Sequence, residues 1–490
     1  MFGLRATISA ITLVAMLAPI AVFAQDRTTA EDAQGDKTYP QILAQTGGVI
    51  IDAELTRYVD RLGQKLASFS SQPDAQWTFS VLDTPVVNAF ATPGGYIYVT
   101  RGLLALANDE AELAAVIGHE IGHVTAHHGA ERDSTGNRAG IGVLLGAVLG
   151  GLANGREGLK DGIQIGANLA MGYVAQNSQA QEYAADKLGI KLIAAAGYDP
   201  NAQADFLDHL LASTELEAKL RGREYNPNQV SFFASHPATA DRVRAAIREV
   251  KKQGVVVAAN APRNEQDYLA AISGMIFGDS SAQGFVRGRT LSHPEMRFTF
   301  TVPEGFVITN SAQAVVAEGP NRASFKLAGV RDDGQNLRRF INRTWLPALA
   351  KDLRLGQPGD IQAITVNGLE AVTVSVPARV KRGKIMVQLT AIRFEGLVIL
   401  LTGVAQVNEP ATTEALADAV YSFRTLSTGE ATALRPYSIE TYQVQTGDST
   451  KFLTASFPFS ALREDYFRVL NGYDSGEEPQ PGDWVKLVAE

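Results

Sequence analysis

Two histidines and a glutamate have the residue types and the spacing of a metal site with a base beside it. His119 and His123 are four residues apart, and Glu120 follows the first of them. On an α-helix, residues four apart share a face, so both imidazoles can bind one ion. A zinc ion held by two histidines and a third ligand lowers the pKa of a bound water, and a neighbouring carboxylate can accept the proton. The motif predicts one Zn²⁺ per chain, bound by His119 and His123, with Glu120 as general base.

The residues around this motif favour a helix that packs closely against another element. Asn108 or Asp109 can cap it, and Asp109 with Glu112 fits a capping box. Gly118 and Gly122 are poor helix formers, but they are small where a second helix must approach to deliver a third ligand.

That third ligand is expected from a later helical stretch, in which Glu182 and Asp186 lie four residues apart and therefore on one face. Glu182 is the predicted third zinc ligand. Asp186 is predicted to accept a hydrogen bond from a ligand histidine and so to fix its tautomer. Taken alone, such a pair of carboxylates usually forms a solvated helix face, and only the histidine motif favours the metal site.

Four further polar residues have open roles. His236 could donate to the oxyanion of a tetrahedral intermediate, or it could be a fourth zinc ligand that holds the site closed. Arg242 could help bind substrate or pair with a carboxylate. His127 and His128 are interpreted as helix-end residues.

A stretch before the histidine motif, residues 87–100, combines turn and strand signals. Pro93, Gly94 and Gly95 are turn chemistry, and the β-rich run Tyr96–Thr100 follows. Such a stretch belongs at a sheet edge or a turn. An edge strand beside a metal could bind an extended peptide, whereas an ordinary hairpin would bind none. On the pattern alone, the ordinary hairpin is favoured.

The composition restricts the compartment and the partners. The 490 residues carry a formal charge of −8 and no cysteine. An acidic chain gives no electrostatic support to nucleic-acid binding, and the missing cysteines exclude disulfides, thiol nucleophiles and lipid attachment at cysteine. Residues 1–24 have the charge, apolar run and small-residue end of a secretory signal, although a membrane anchor is the alternative. We expect a periplasmic protein that is not a lipoprotein.

A second apolar run, residues 139–153, is rich in glycine and short for a membrane span. It is interpreted as a buried helix or a lid over the site, with peripheral membrane contact as the alternative.

Four blocks of sequence occur in a familiar order. They are Val87–Leu104, the histidine motif, Glu182–Gly189 (EYAADKLG) and Ser235–Val243 (SHPATADRV). Together they resemble the HtpX-like zinc metallopeptidases, which are gluzincins and include periplasmic quality-control proteases of the BepA type. The resemblance implies the ligand set and general base given above and matches His236 and Arg242 to the late histidine and arginine of the family. It also places Asn88 to Gly95 at the substrate cleft, and the substrate-binding residues that it implies are Asn88, Ala89, Phe90, Gly94 and Gly95.

The rest of the chain predicts an α+β protein of several domains. A mostly helical zincin domain with a small edge-strand sheet is expected over 25–263, and an α+β antiparallel-sheet domain of unknown role over 264–430. No 34-residue helical repeat is visible after the protease domain. Residues 431–490 resemble a LysM module of β-α-β type, through Tyr442–Asp448 and Pro481–Lys486. That likeness implies peptidoglycan binding, and a small β-α-β cap without a sugar ligand is the alternative.

The predicted function is a zinc endopeptidase of the bacterial cell envelope that hydrolyses misfolded or misassembled envelope proteins. The alternative is an envelope chaperone or scaffold, or a peptidoglycan-binding protein, with a latent zinc site.

Overall fold

The computed structural model describes residues 29–128, 177–220, 260–311, 314–380, 383–459 and 461–490, together with 244, 245, 247, 248, 251, 252 and 254. His236 and Arg242 lie outside the described residues, as do the expected signal segment 1–24 and the apolar run 139–153. Among the helices that are described, none has both the length and the apolar character that a membrane crossing requires.

The first part of the described chain is mostly helical and contains a small sheet. Its helices are α1 (Ala30–Thr46), α2 (Ala53–Ala67), α3 (Arg101–Leu106), α4 (Glu110–Thr125), α5 (Gln179–Ala195), α6 (Ala202–Leu220) and α7 (Glu265–Ile272). Its strands are β1 (Thr78–Leu82), β2 (Ala89–Thr92) and β3 (Tyr96–Thr100).

The small sheet is sandwiched between helices. Its strand order is β1-β3-β2, with β1 parallel and β2 antiparallel to β3, so β2 is at an edge of the described sheet. One face, which includes Val81 and Val99, joins the core formed with α2 and α4. The opposite face, which includes Phe90 and Tyr98, packs on α1. The turn between β2 and β3 has positive φ at Gly94 and Gly95, as its glycines indicate.

Helix α4 begins and ends at well-defined signals. The Asp109 side chain accepts a hydrogen bond from the Glu112 backbone N–H at 2.8 Å. The Glu112 carboxylate accepts from the Asn108 backbone N–H at 2.9 Å, one residue before the position that a standard capping box uses. The helix stops at Thr125, and His127 then takes a left-handed conformation with φ of 54°.

The middle of the chain is rich in sheet. Its described strands are β4 (Ile276–Phe277), β5 (Phe285–Arg287), β6 (Thr290–His293), β7 (Phe298–Thr301), β8 (Val307–Asn310), β9 (Val315–Glu318), β10 (Ser324–Arg331), β11 (Arg354–Leu355), β12 (Gln362–Val366), β13 (Leu369–Val380), β14 (Gly383–Phe394), β15 (Leu397–Gln406) and β16 (Arg424–Thr425). The helices there are α8 (Leu337–Phe340), α9 (Leu346–Asp352), α10 (Pro410–Tyr421) and α11 (Thr428–Ala433), with a π-helical turn at Ile341–Trp345.

Apart from β4, these strands form an eight-stranded and a four-stranded sheet, and their described pairings are antiparallel, in agreement with the α+β expectation. Two hydrophobic cores lie on either face of the larger sheet, one against α10 and one against α8 and α9.

The last part of the chain has the order β17 (Tyr437–Gln443), α12 (Thr450–Leu453), α13 (Arg463–Asn471) and β18 (Trp484–Ala489). It thus contains two helices between its strands where the sequence suggested one. Strands β17 and β18 are antiparallel, and β4 extends their sheet. The likeness to a LysM module and the domain boundaries stay predictions. We call residues 437–489 the C-terminal unit.

Candidate metal centre

Helices α4 and α5 touch at glycines, and this contact brings the predicted ligands together. A Cβ added at Gly122 would lie 2.9 Å from the Ala185 carbonyl oxygen, and one added at Gly189 would lie 2.8 Å from the His119 backbone nitrogen. At Gly118 the added Cβ would lie 3.3 Å from the Gly189 carbonyl oxygen. The close approach expected from Gly118 and Gly122 is therefore present, and Gly189 provides the matching surface on α5.

His119, His123 and Glu182 converge at this contact. The Nε2 atoms of the two histidines are 3.0 Å apart. The Glu182 carboxylate places one oxygen 3.5 Å from Nε2 of His119 and the other 3.2 Å from Nε2 of His123. The three side chains are 5%, 6% and 0% exposed, so their donor atoms face one another in a site shielded from water.

This donor set suits a zinc ion. Two imidazole nitrogens and one carboxylate oxygen, with all three ligand atoms within 4.8 Å of one another, can surround a single cation. Zinc accepts nitrogen and oxygen ligands in this number when a further position is kept for substrate or water. The three residues therefore fit the metal that the sequence predicts.

The first histidine is held from behind by a carboxylate. Nδ1 of His119 lies 2.9 Å from Oδ1 of Asp186, and the Gln203 side-chain amide donates to the same oxygen at 2.8 Å. Burial alone would lower the pKa of His119, but its hydrogen bonds to Asp186 and Glu182 raise that pKa to about 10. The carboxylates thus make this buried place strongly attractive to positive charge. Asp186 lies where the sequence expected it.

The second histidine is held by a residue that the sequence did not assign to the site. Nδ1 of His123 lies 2.9 Å from Nδ1 of the buried His128. A spacing of five residues does not share a helix face. The two rings meet because the helix ends at Thr125 and the chain turns back through the left-handed His127. Only the helix-ending signal, combined with a second histidine, could have indicated this contact.

Asn177 was also missed, and it lies just before α5. Its side-chain amide donates to the Glu182 carboxylate at 2.6 Å and comes within 3.4 Å of Nε2 of His123. A lone asparagine ahead of a helix carries no sequence signal for such a role. It restrains the carboxylate that joins the two histidines.

Glu120 is 1% exposed and stands on α4 between the two histidines. It is not one of the three converging ligands. Its assignment as general base therefore remains compatible with the geometry and stays a prediction.

The predicted substrate stretch is close to α4, against which β2 packs. Several of its side chains pack inside the fold. Ala89 is buried in the core beside α4, and the Phe90 ring stacks on Tyr98 with centroids 4.7 Å apart. The Asn88 backbone N–H donates to the Thr100 hydroxyl at 3.0 Å. A ligand along β2 would consequently meet backbone atoms more than side chains.

Two histidines on one helix and a glutamate from a second helix form a cluster that could hold a metal ion. Residues 53–250 match peptidase family M48. The chain carries a domain of that family, and the matched residues include the whole ligand cluster.

Three relatives are similar in sequence to this part of the chain. One is the "Putative beta-barrel assembly-enhancing protease" of Vibrio cholerae, 32% identical over 207 residues that cover 42% of this chain and 41% of the relative. Another is the "Beta-barrel assembly-enhancing protease" of Escherichia coli K12, 25% identical over 243 residues, 49% of this chain and 47% of the relative. The "Mitochondrial metalloendopeptidase OMA1" of Schizosaccharomyces pombe is 27% identical over 216 residues, 44% and 59%. The chain spans about half the length of these relatives.

Proposed function

We propose that the protein is a zinc-dependent endopeptidase of the bacterial cell envelope. The observation that carries this proposal is the convergence of His119, His123 and Glu182 in a buried site on two helices. Membership of the domain in a peptidase family supports the reaction type.

In this proposal the ligand set holds one zinc ion, and the chain's own residues orient it and move protons. When bound, zinc would supply Lewis-acid chemistry for peptide hydrolysis. Glu120 would accept a proton from the attacking water and pass it to the leaving amine. Asp186 and His128 contact the two histidines at Nδ1, while each Nε2 faces Glu182.

The substrate is a protein segment in extended form. Strand β2 is at an edge of the described sheet and packs on the helix that carries Glu120. An extended peptide that pairs with such an edge gains main-chain hydrogen bonds and is largely independent of side-chain identity. That property suits an enzyme that degrades unfolded or misassembled proteins of varied sequence. His236 would donate to the oxyanion or block the site as an additional ligand, and Arg242 would assist substrate binding.

The cell envelope is proposed from two observations. The first residues have the pattern of a secretory signal. Two relatives of the catalytic domain are named for assembly of β-barrel proteins. The proposed substrates are therefore envelope proteins that have failed to assemble, in a periplasmic setting.

The decisive experiment measures cleavage of an unfolded protein and bound zinc in the same purified samples of wild type, Glu120→Gln and His236→Ala. We expect Glu120→Gln to keep its zinc and to lose activity by about a hundred- to ten-thousandfold, because an amide cannot accept the proton. Activity that appears only in His236→Ala would identify that histidine as a block. Absence of zinc from the wild type, or retained activity in Glu120→Gln, would overturn the proposal.

A further inference from the structure

The C-terminal unit does not stand apart from the metallopeptidase domain. Its residues Phe457, Phe467 and Val485 belong to the same hydrophobic core as Leu113 and Ile117 of the metal-binding helix. Helix α13 packs on both α3 and α6, and β18 packs on α7. A module that was merely tethered would have a core of its own.

One buried lysine links this unit to the segment just before α4. Lys486 on β18 is 0% exposed, and its Nζ donates to three successive carbonyl oxygens, those of Ala105, Leu106 and Ala107 at 2.9, 3.2 and 2.7 Å. In its charged form, lysine has three N–H donors, which matches the three acceptors.

Those three carbonyls need a partner from elsewhere in the chain. They lie where α3 ends, and the last carbonyl oxygens of a helix accept no hydrogen bond from an N–H group of the same helix. Ala105, Leu106 and Ala107 are all buried, so water does not replace the missing donors. Lys486 satisfies them in the short connection that leads into α4, only three residues long from Ala107 to Asp109.

A second contact joins the C-terminal unit to α6. Gly472, which follows α13, has a φ of 71°, and a Cβ added there would lie 2.6 Å from Nε2 of His209 and 2.9 Å from Nδ2 of Asn108. His209 in turn approaches the Glu112 carboxylate at 3.1 Å. The same helix α6 carries Gln203, which binds Asp186 behind the metal site.

We propose that Lys486 and Gly472 are positioning residues for the metal-binding helix, and that the C-terminal unit is an integral part of the catalytic domain. The unit supports α4 at its start through the Ala105–Ala107 carbonyls, and it supports α6 through His209. Loss of either contact loosens the frame that holds His119 and His123.

The test compares two glycine variants of the full-length protein. Gly472→Ala introduces both a left-handed alanine and a collision with His209 and Asn108. Gly476→Ala is the matched control, because Gly476 also has positive φ, 83°, but its added Cβ would meet nothing within 4 Å. The difference between the two variants isolates the contact from the backbone strain that both share.

Two quantities are measured, amide hydrogen exchange in α4 and zinc affinity by competition with a chelator. We expect Gly472→Ala to speed exchange in α4 and to weaken zinc binding, each by about tenfold, with exchange in β13–β15 unchanged. Gly476→Ala should leave both close to wild type. Faster exchange confined to the C-terminal unit, with α4 and zinc affinity unaffected, would overturn the proposal.

A measurement on the wild type covers the case in which Gly472→Ala does not fold. Exchange at increasing denaturant is followed for amides of α4 and β18. If the C-terminal unit is integral, the two sets open together with one denaturant dependence. Separate openings would show an independent module. This exchange measurement needs no zinc. Only the zinc-affinity measurement rests on the proposed function, so failure of this inference can be told apart from failure of the proposed function.

Discussion

The two histidines that are predicted to bind zinc differ in what holds them. His119 meets the carboxylate of Asp186, and His123 meets the imidazole of His128, both through Nδ1 and both at 2.9 Å. A carboxylate orients the ring and also stabilises positive charge on it, whereas an imidazole partner orients the ring through one hydrogen bond. We therefore predict that His128 positions His123.

Replacement of His128 by alanine is expected to weaken zinc binding by about ten- to a hundredfold, because the His123 ring loses the partner that fixes its orientation. Zinc affinity measured by chelator competition checks this. His293→Ala is the matched control, since His293 is also buried but lies on β6 of the four-stranded sheet. Equal affinities for the two variants would show that His128 merely fills space.

At this scale the sequence predicted the residues that share a helix face and missed those that do not. Two pairs of residues are each four positions apart, His119 with His123 and Glu182 with Asp186. The structure brings both pairs together. His128 reaches the site only because the chain reverses after Thr125. Such reversals depend on φ values that a local pattern does not specify.

The contact between α4 and α5 determines whether three ligands can meet. Gly189 allows the backbone of α5 to approach the backbone of His119, and Gly122 provides the same freedom one turn further along. In an exposed helix, replacing glycine by alanine stabilises by roughly 0.5–1 kcal/mol. Here the added methyl group meets backbone atoms, which cannot move aside without separating the helices.

Gly189→Ala is therefore expected to lower the free energy of unfolding by about 1–3 kcal/mol, the usual cost of overpacking, and to weaken zinc binding. Gly429→Ala serves as the control. Gly429 lies in helix α11, and its added Cβ would have nothing within 4 Å. Denaturant unfolding should show a lower free energy of unfolding for Gly189→Ala and a gain of roughly 0.5–1 kcal/mol for Gly429→Ala. Stabilisation by Gly189→Ala would mean that the two helices can separate without harm.

At the scale of elements, the sequence predicted the metal-binding helix, the ligand-bearing helix after it and the antiparallel character of the middle region. After Gly122, the next glycine in the sequence is Gly129, yet α4 ends earlier, at Thr125. Glycine does not by itself fix a helix end, since Gly118 and Gly122 lie within α4.

Across the whole molecule, contacts between distant parts of the chain were beyond prediction. Arg263 lies at the end of the expected zincin domain, shortly before α7. In the structure its guanidinium binds Asp109 at 2.6 Å and Asp205 at 2.6 Å, and so joins the start of α4 to α6. Lys486 contacts residues almost four hundred positions earlier. No local period or turn signal encodes such pairs, because they arise from the packing of complete elements.

Lys486 also predicts how stability responds to pH. Burial lowers its pKa to about 7, although Glu112, Asp109 and Glu265 act in the opposite direction. The lysine of the unfolded chain keeps its ordinary pKa near 10.4. Between these values the unfolded state binds more protons than the folded state, so the free energy of unfolding rises with pH through this group. Arg263 and His209 also lie beside the Glu112 carboxylate.

We compare the free energy of unfolding of the wild type with that of Lys486→Met. As pH rises from 7 to 9, we expect this difference to shift in favour of the wild type by up to about 1.4 kcal/mol per pH unit. Denaturant unfolding of both proteins at several pH values provides the comparison, and Lys451→Met, at an exposed position of the same unit, is the control that should follow the wild type. The difference between wild type and Lys486→Met removes the contribution of groups that titrate in both. Parallel curves would show that the three carbonyls and the nearby carboxylates keep Lys486 protonated in the fold, and that its burial is fully compensated.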